Sequence, residues 1–204
     1  MPENVDFKLV LAVAATLISV GAYVPYFKDL FSRKTKPHPY TWLIWAITQG
    51  TATAALLHGG GNFGALSLSV GVVLVVIVFL FSLKYGARNI ARSDTIVLAL
   101  ALSAIFVWWR LDNPLVAVLM VSAIDGLGYI PTFRKSFADP WSETLSFWGL
   151  VALVTILSLI SNAEYNLLTV TYLATLSVAN TSLFFFLFFR RKILRQTQTR
   201  QTAS

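Results

Sequence analysis

An internal repeat is the feature of this sequence that most constrains its fold. The segment that ends at Trp42 returns, without insertion, as the segment that ends at Trp148, 106 residues later. The matching pairs are Tyr23/Tyr129, Pro25/Pro131, Phe27/Phe133, Lys28/Arg134, Phe31/Phe137 and Trp42/Trp148. Repetition at a fixed offset predicts that one structural unit occurs twice. The two copies should therefore be related by approximate symmetry.

Composition places this repeat in a lipid bilayer. Hydrophobic residues make up 56% of the 204 positions and mean hydropathy is +0.70, whereas soluble domains are roughly 45–50% apolar. A span must cross about 30 Å of hydrocarbon. Apolar runs predict seven spans, at 7–27, 41–58, 63–84, 95–111, 114–132, 144–161 and 165–189. The predicted fold class is an all-α integral membrane protein with seven transmembrane helices.

The distribution of basic residues predicts the orientation of these spans. With seven spans, fourteen Lys and Arg residues fall on the face of the C-terminus, and only Lys8 and Arg110 on the other. By the positive-inside rule the N-terminus is outside and the C-terminus cytoplasmic, in a plasma or inner membrane. Topology and anionic lipid headgroups then account for the net charge of +7, and no nucleic-acid partner is expected.

The repeat and the spans together predict a three-plus-one-plus-three layout. A three-span unit begins outside and ends inside, so a second unit of the same orientation needs one linker helix to return the chain. The predicted divisions are a first three-helix repeat at 1–86, a basic loop and linker helix at 87–112, a second repeat at 113–190 and a basic tail at 191–204. Two parallel repeats of this kind are related by an axis along the membrane normal.

The layout and a short motif resemble the PQ-loop and SWEET (MtN3-like) membrane transporter superfamily, as a divergent bacterial-type seven-span member. The motif reads Tyr-Val-Pro-Tyr-Phe-Lys at 23–28 and Tyr-Ile-Pro-Thr-Phe-Arg at 129–134. The resemblance implies a carrier whose two units alternately expose a central site. It also implies that Pro25 and Pro131 are hinges of a cytoplasmic gate, and their equivalent placement in the two repeats favours that role. The alternative is that each proline ends its helix at the membrane surface.

Polar residues at helical spacing indicate where the site lies. Ser122, Asp125 and Tyr129 share one face of the fifth span, and Ser19 and Tyr23 occupy equivalent places in the first. A polar face inside a membrane normally turns toward protein or a water-filled cavity. The two stripes are therefore predicted to line a common substrate site.

Asp125 is the only acid well inside a predicted span. An ionised side chain there is costly, so the carboxyl group should face a cavity, find hydrogen-bond donors or hold a proton. Three interpretations stay open at this point: a structural acid bonded across the bundle, a substrate contact and a proton carrier.

Further candidates for substrate contact come from the second, sixth and seventh spans. Trp45 and Gln49 have Val151 and Thr155 as their counterparts, so the two half-sites differ in polarity, which suits an asymmetric substrate. Trp42 and Trp148 are expected to be anchors at the membrane interface. The remaining candidates are Thr155 itself and the cluster Ser177, Asn180 and Thr181, in which Asn180 resembles the seventh-helix asparagine of SWEET carriers.

Several classes of protein are not expected. No nucleophile elbow accompanies the sequence His58-Gly-Gly-Gly, no phosphate-binding loop is present, and two histidines with no cysteine make a metal site improbable. We therefore expect no enzyme activity, cofactor or metal.

The predicted function is a carrier that moves a small polar metabolite, such as a sugar, an amino acid or a vitamin-like compound, by alternating access. Facilitated diffusion is the simplest version, and proton coupling through Asp125 is the second. The alternatives are a non-transporting receptor or assembly protein with the layout of the KDEL receptor, and a PnuC-like vitamin facilitator. The sequence leaves open whether the chain forms a homo-oligomer.

Overall fold

The chain forms a bundle of α-helices. The computed structural model describes residues 3–88, 91–111 and 113–202, and these ranges contain no β-strand. The predicted all-α class is confirmed. The helices are α1 (Glu3–Phe31), α2 (Pro39–His58), α3 (Asn62–Tyr85), α4 (Arg92–Leu111), α5 (Pro114–Ala138), α6 (Leu145–Ile160) and α7 (Leu167–Thr202), with one 3-10 turn at Pro140–Ser142.

Local sequence signals explain where two of these helices begin. Pro39 and Pro114 occupy the first turns of α2 and α5, where the missing N–H costs nothing. The Asn113 side chain caps α5 by accepting hydrogen bonds from the backbone N–H groups of Leu115 at 3.1 Å and Val116 at 3.2 Å. The Asn-Pro turn therefore begins α5 at the residue that the sequence indicates.

Among the described residues, four helices are long and apolar enough to cross a membrane: α1, α3, α5 and α7. They support the predicted membrane insertion. Helix α6 is apolar but has 16 residues, which is about 24 Å at 1.5 Å per residue. Helix α2 has 20 residues but does not reach the same apolar content. Length and composition thus mark four of the seven predicted spans.

The outer surface of α1 has the character of a lipid-facing helix. Val10, Val13, Leu17, Val20 and Val24 are all exposed, and their spacing places them along one side of the helix. A contiguous apolar surface of this kind is rare on a soluble monomer. Hydrocarbon is the solvent in which this surface is stable.

The helix contacts have a two-fold pattern. Helix α3 packs against both α1 and α2, and α7 packs against both α5 and α6. We call α1–α3 and α5–α7 the two triplets. Between the triplets, α1 packs against α6, and α2 packs against α5. Exchanging α1–α3 with α5–α7 leaves these contacts unchanged. Helices α2 and α6 begin 106 residues apart, and α3 and α7 begin 105 apart. Helix α4 lies beside α2 and α5.

Hydrogen bonds join the two triplets at both ends of the bundle. At the end where α1 and α5 finish, Thr35 Oγ1 lies 2.7 Å from Thr144 Oγ1, and Lys135 Nζ donates to the Lys36 carbonyl at 2.8 Å. We call this the basic end. At the opposite end Lys8 Nζ donates to the Asn162 carbonyl at 2.7 Å.

Both repeat prolines lie inside helices rather than at helix ends. Helix α1 continues past Pro25 to Phe31, and α5 continues past Pro131 to Ala138. The interpretation of these residues as helix terminators is therefore wrong. Because proline has no N–H, each leaves the carbonyl four residues earlier without its helical partner.

Several helices extend beyond the predicted apolar runs. Helix α1 reaches Phe31, α5 reaches Ala138, and α7 continues as a helix to Thr202, through most of the predicted basic tail. Polar residues can continue a helix without raising its hydropathy. Apolar content alone therefore underestimates the lengths of these helices.

Candidate functional site

A cavity of about 70 Å³ lies between the two triplets. Among the described residues its lining comes from α1, α2, α3, α5, α6 and α7. This volume has room for a few water molecules, but sites for drug-sized ligands usually measure about 300–1,000 Å³. The cavity is therefore smaller than a usual site for a drug-sized ligand.

The structure brings most of the predicted substrate-binding residues to this cavity. Those that line it are Asp125, Gln49, Trp45, Asn180, Tyr129, Tyr23, Ser19 and Thr155. Ser122, Ser177 and Thr181 are not among the lining residues. Ser122 Oγ donates to the Val118 carbonyl at 2.6 Å, and Ser177 Oγ donates to the Leu173 carbonyl at 2.7 Å. These two hydroxyls thus bond their own helices, as buried helical serines often do.

The Asp125 carboxyl group is completely buried and connects three helices. Its Oδ1 accepts a hydrogen bond from Tyr172 Oη of α7 at 3.0 Å, and another from Thr48 Oγ1 of α2. Its Oδ2 has no hydrogen-bond partner among the described residues. A buried polar atom without a partner is rare and costly. One oxygen of this carboxyl group is thus left for another ligand.

The Thr48 hydroxyl allows the Asp125 group to exist with or without a proton. Thr48 Oγ1 also lies 3.0 Å from the Ile44 carbonyl, and one hydroxyl proton can serve only one of the two acceptors. When Asp125 is ionised, Thr48 can donate to Oδ1. When Oδ1 is protonated, it can donate to Thr48 Oγ1, and Thr48 can then donate to Ile44. Both states keep the carboxyl–hydroxyl bond.

Three aromatic rings form one wall of the cavity. Trp45, Tyr129 and Trp148, here called the aromatic triad, have ring centroids 4.8 Å apart for Trp45–Tyr129, 5.9 Å for Trp45–Trp148 and 6.1 Å for Tyr129–Trp148. Tyr129 Oη donates to Asn180 Oδ1 at 2.8 Å, which joins two predicted site residues. Trp45 Nε1 is buried and has no hydrogen-bond partner among the described residues.

Trp42 and Trp148 do not have the exposure expected of interface anchors. They are 3% and 2% exposed, and both line the cavity. The Trp148 Nε1–H group donates to Glu143 Oε2 at 3.0 Å. The expectation of anchors is wrong because α2 and α6 each pack against both triplets, which places their tryptophans between helices rather than against lipid.

Small and polar residues line another part of the cavity and join α3 to α6 and α2. Ser67 Oγ of α3 lies 2.5 Å from Ser158 Oγ of α6, so a hydrogen bond crosses between the triplets. Gln49 Nε2 donates to the Leu68 carbonyl at 3.2 Å. A Cβ atom at Gly71 would lie 2.4 Å from Gln49 Nε2, so a side chain at this position would displace the Gln49 amide from its present place.

Toward the basic end, aromatic contacts and then polar contacts join the two triplets. The rings of Tyr23 and Phe147 are 5.0 Å apart and bring α1 against α6. Beyond them Thr144 Oγ1 donates to Asp29 Oδ2 at 2.9 Å, and Glu143 forms an ion pair with Lys135. Sequence reasoning singled out none of Asp29, Glu143 and Thr144. Their positions in loops and at helix ends gave no periodic signal.

The described residues contain no group of three or more His, Cys, Asp or Glu side chains that could hold a metal ion. Comparison with known proteins gave no match to a family model, to a curated protein or to a solved structure. The function is therefore argued from the site itself.

Proposed function

We propose that this chain is a membrane carrier that moves a small polar metabolite by alternating access. The observation that carries the proposal is the cavity between two helix triplets that contact each other in a two-fold pattern. Carriers built from repeats bind their substrates between the repeats, and they move one repeat against the other. In this proposal the chain is a PQ-loop and SWEET type protein with three-plus-one-plus-three topology.

The proposed topology requires α2, α4 and α6 to cross the membrane as well. Helices α2 and α6 lie between other helices and line the cavity, so much of their surface meets protein rather than lipid. A helix in that position can carry polar residues such as Gln49 and Thr155. The basic end would then face the cytoplasm, next to anionic headgroups, and the N-terminus would be outside.

Alternating access would separate the contacts at one end while those at the other end hold. Opening at the basic end would break the Asp29–Thr144 and Lys36–Lys135 hydrogen bonds. Opening at the opposite end would break the Ser67–Ser158 bond. Pro25 and Pro131 weaken α1 and α5 just beyond Tyr23 and Tyr129, so each helix can bend there without losing another backbone hydrogen bond.

The two halves of the cavity would hold different parts of the substrate. Asp125 of the second repeat corresponds to Ser19 of the first, and Gln49 corresponds to Thr155. All four line the cavity. A substrate would therefore bind in one orientation, with its most polar group toward Asp125.

Thermal stabilisation followed by counterflow tests this function. A metabolite library is first screened for compounds that raise the unfolding midpoint of the purified protein, because a ligand that binds only the folded state stabilises it. Each ligand found is then loaded into proteoliposomes, and uptake of the labelled compound is measured. We expect saturable exchange. A ligand that binds but does not cross would reject the carrier and favour the receptor alternative.

A further inference from the structure

The described lining of the cavity has one carboxyl group and no basic side chain. That carboxyl group belongs to Asp125, and the described lining residues include no Lys, Arg or His. The described residues supply two hydroxyl donors to Oδ1 and none to Oδ2. A buried carboxylate is stable only when it is paired, and removing or lacking its counter-charge is costly. The missing counter-charge must be a proton or a cationic ligand.

Aromatic rings occupy the neighbouring part of the cavity. Tyr129 follows Asp125 by one helical turn on α5, about 6 Å along the axis, and it belongs to the aromatic triad. The faces of Trp and Tyr rings attract cations, and the attraction grows when the site is shielded from water. A carboxylate next to several rings is therefore suited to a group that is both positively charged and partly apolar.

We propose that the substrate is a small organic cation whose ammonium group binds Asp125 Oδ2 and whose body packs against the aromatic triad. This inference rests on the proposed function only in taking the cavity as the substrate site. A hydrogen-bond acceptor on the same molecule can take the free Trp45 Nε1–H. An anion is disfavoured because the described lining offers it no basic side chain.

Paired probes that differ in charge but not in shape test the proposal. Choline is compared with 3,3-dimethylbutan-1-ol, and tyramine with 4-(2-hydroxyethyl)phenol, by thermal stabilisation of the full chain in detergent. At least one cation should stabilise the wild-type protein, and its neutral partner should bind about 10- to 100-fold more weakly, since only the cation is attracted to the Asp125 carboxylate and to the faces of the aromatic rings. This comparison needs no variant, so it does not depend on any variant folding.

Two substitutions test whether the preference for the cation depends on Asp125. Asp125→Asn should lose most of the preference for the cation, whereas Ser122→Ala, which lies on the same helix but not in the cavity lining, should keep it. Equal stabilisation by both members of both pairs overturns the proposal, as does the absence of any effect of either cation. Either of these results rejects the cation site but not the carrier proposal, which is still supported if a neutral compound is exchanged across liposomes. Binding of a cation without exchange supports the cation site and rejects the carrier.

Discussion

At the scale of single residues, the environment of Asp125 determines what the cavity can bind. Asp125 was predicted as a site residue because it is the only acid well inside a predicted span. The sequence did not predict that Thr48 and Tyr172 would be its hydrogen-bond partners. These donors come from α2 and α7, and no spacing along one helix relates them to Asp125. Only the packing of three helices brings them together.

Asp125→Asn separates proton coupling from substrate contact. Asparagine keeps the shape and can still form hydrogen bonds, but it cannot take up and release a proton. If Asp125 carries protons, we expect pH-driven accumulation to be abolished in proteoliposomes while counterflow exchange is preserved. If it contacts only the substrate, both activities and the affinity should fall together. A variant with normal uptake, pH dependence and affinity would make Asp125 a structural residue.

Thr48→Val tests the hydrogen bond that holds the Asp125 carboxyl group against α2. Valine has nearly the same shape but no hydroxyl, so Oδ1 keeps only the bond from Tyr172. We expect the free energy of unfolding in detergent to fall by about 1–3 kcal/mol, the usual cost of leaving a buried polar group underbonded. The matched control is Thr51→Val, because Thr51 Oγ1 bonds only its own helix at the Ile47 carbonyl. Equal losses in the two variants would contradict the assignment.

At the scale of helices, the sequence predicted where helices begin better than where they end. Proline and asparagine mark the beginnings of α2 and α5, since these residues act through local backbone geometry. The ends of α1, α5 and α7 lie beyond the apolar runs, because charged residues such as Lys28 and Arg134 continue the helices. Hydropathy reports the solvent around a helix rather than the length of its hydrogen-bonded backbone.

The repeat prolines are predicted to control the rate of movement rather than affinity. Pro25→Ala or Pro131→Ala restores a backbone N–H inside the helix, which should stiffen α1 or α5. We expect slower exchange between the two open states in a counterflow assay, with expression and ligand affinity much less changed. Pro114→Ala is the control, because Pro114 begins α5 and interrupts no helical hydrogen bond. Normal exchange in both single variants and in the double variant would show that neither proline is a hinge.

At the scale of the whole molecule, the repeat predicted that a site lies between two equivalent halves. The helix contacts have a two-fold pattern. Most of the predicted substrate-binding residues line the cavity between the two halves. The repeat did not predict the hydrogen bonds that join the two halves at each end, such as Lys8–Asn162 and Thr35–Thr144. The members of these bonds are not equivalent positions in the two repeats.

The number of spans has a direct consequence for the termini. Seven crossings place the two ends of the chain on opposite sides of the membrane, whereas crossings by α1, α3, α5 and α7 alone would place them on the same side. We expect a reporter fused after Ser204 to be cytoplasmic and one placed before Met1 to be external, because the positive-inside rule keeps the basic end in the cytoplasm.

Single cysteines provide the independent check, since the natural sequence has none. Tyr165→Cys, at the opposite end, should react with a membrane-impermeant maleimide in intact cells. Lys34→Cys, at the basic end, should react only after the membrane is permeabilised. Both positions are exposed, so a difference between them reports the side of the membrane and not burial. Labelling of both positions in intact cells would leave the two ends of the bundle on one side, and a cavity between them could not serve as a route across the membrane.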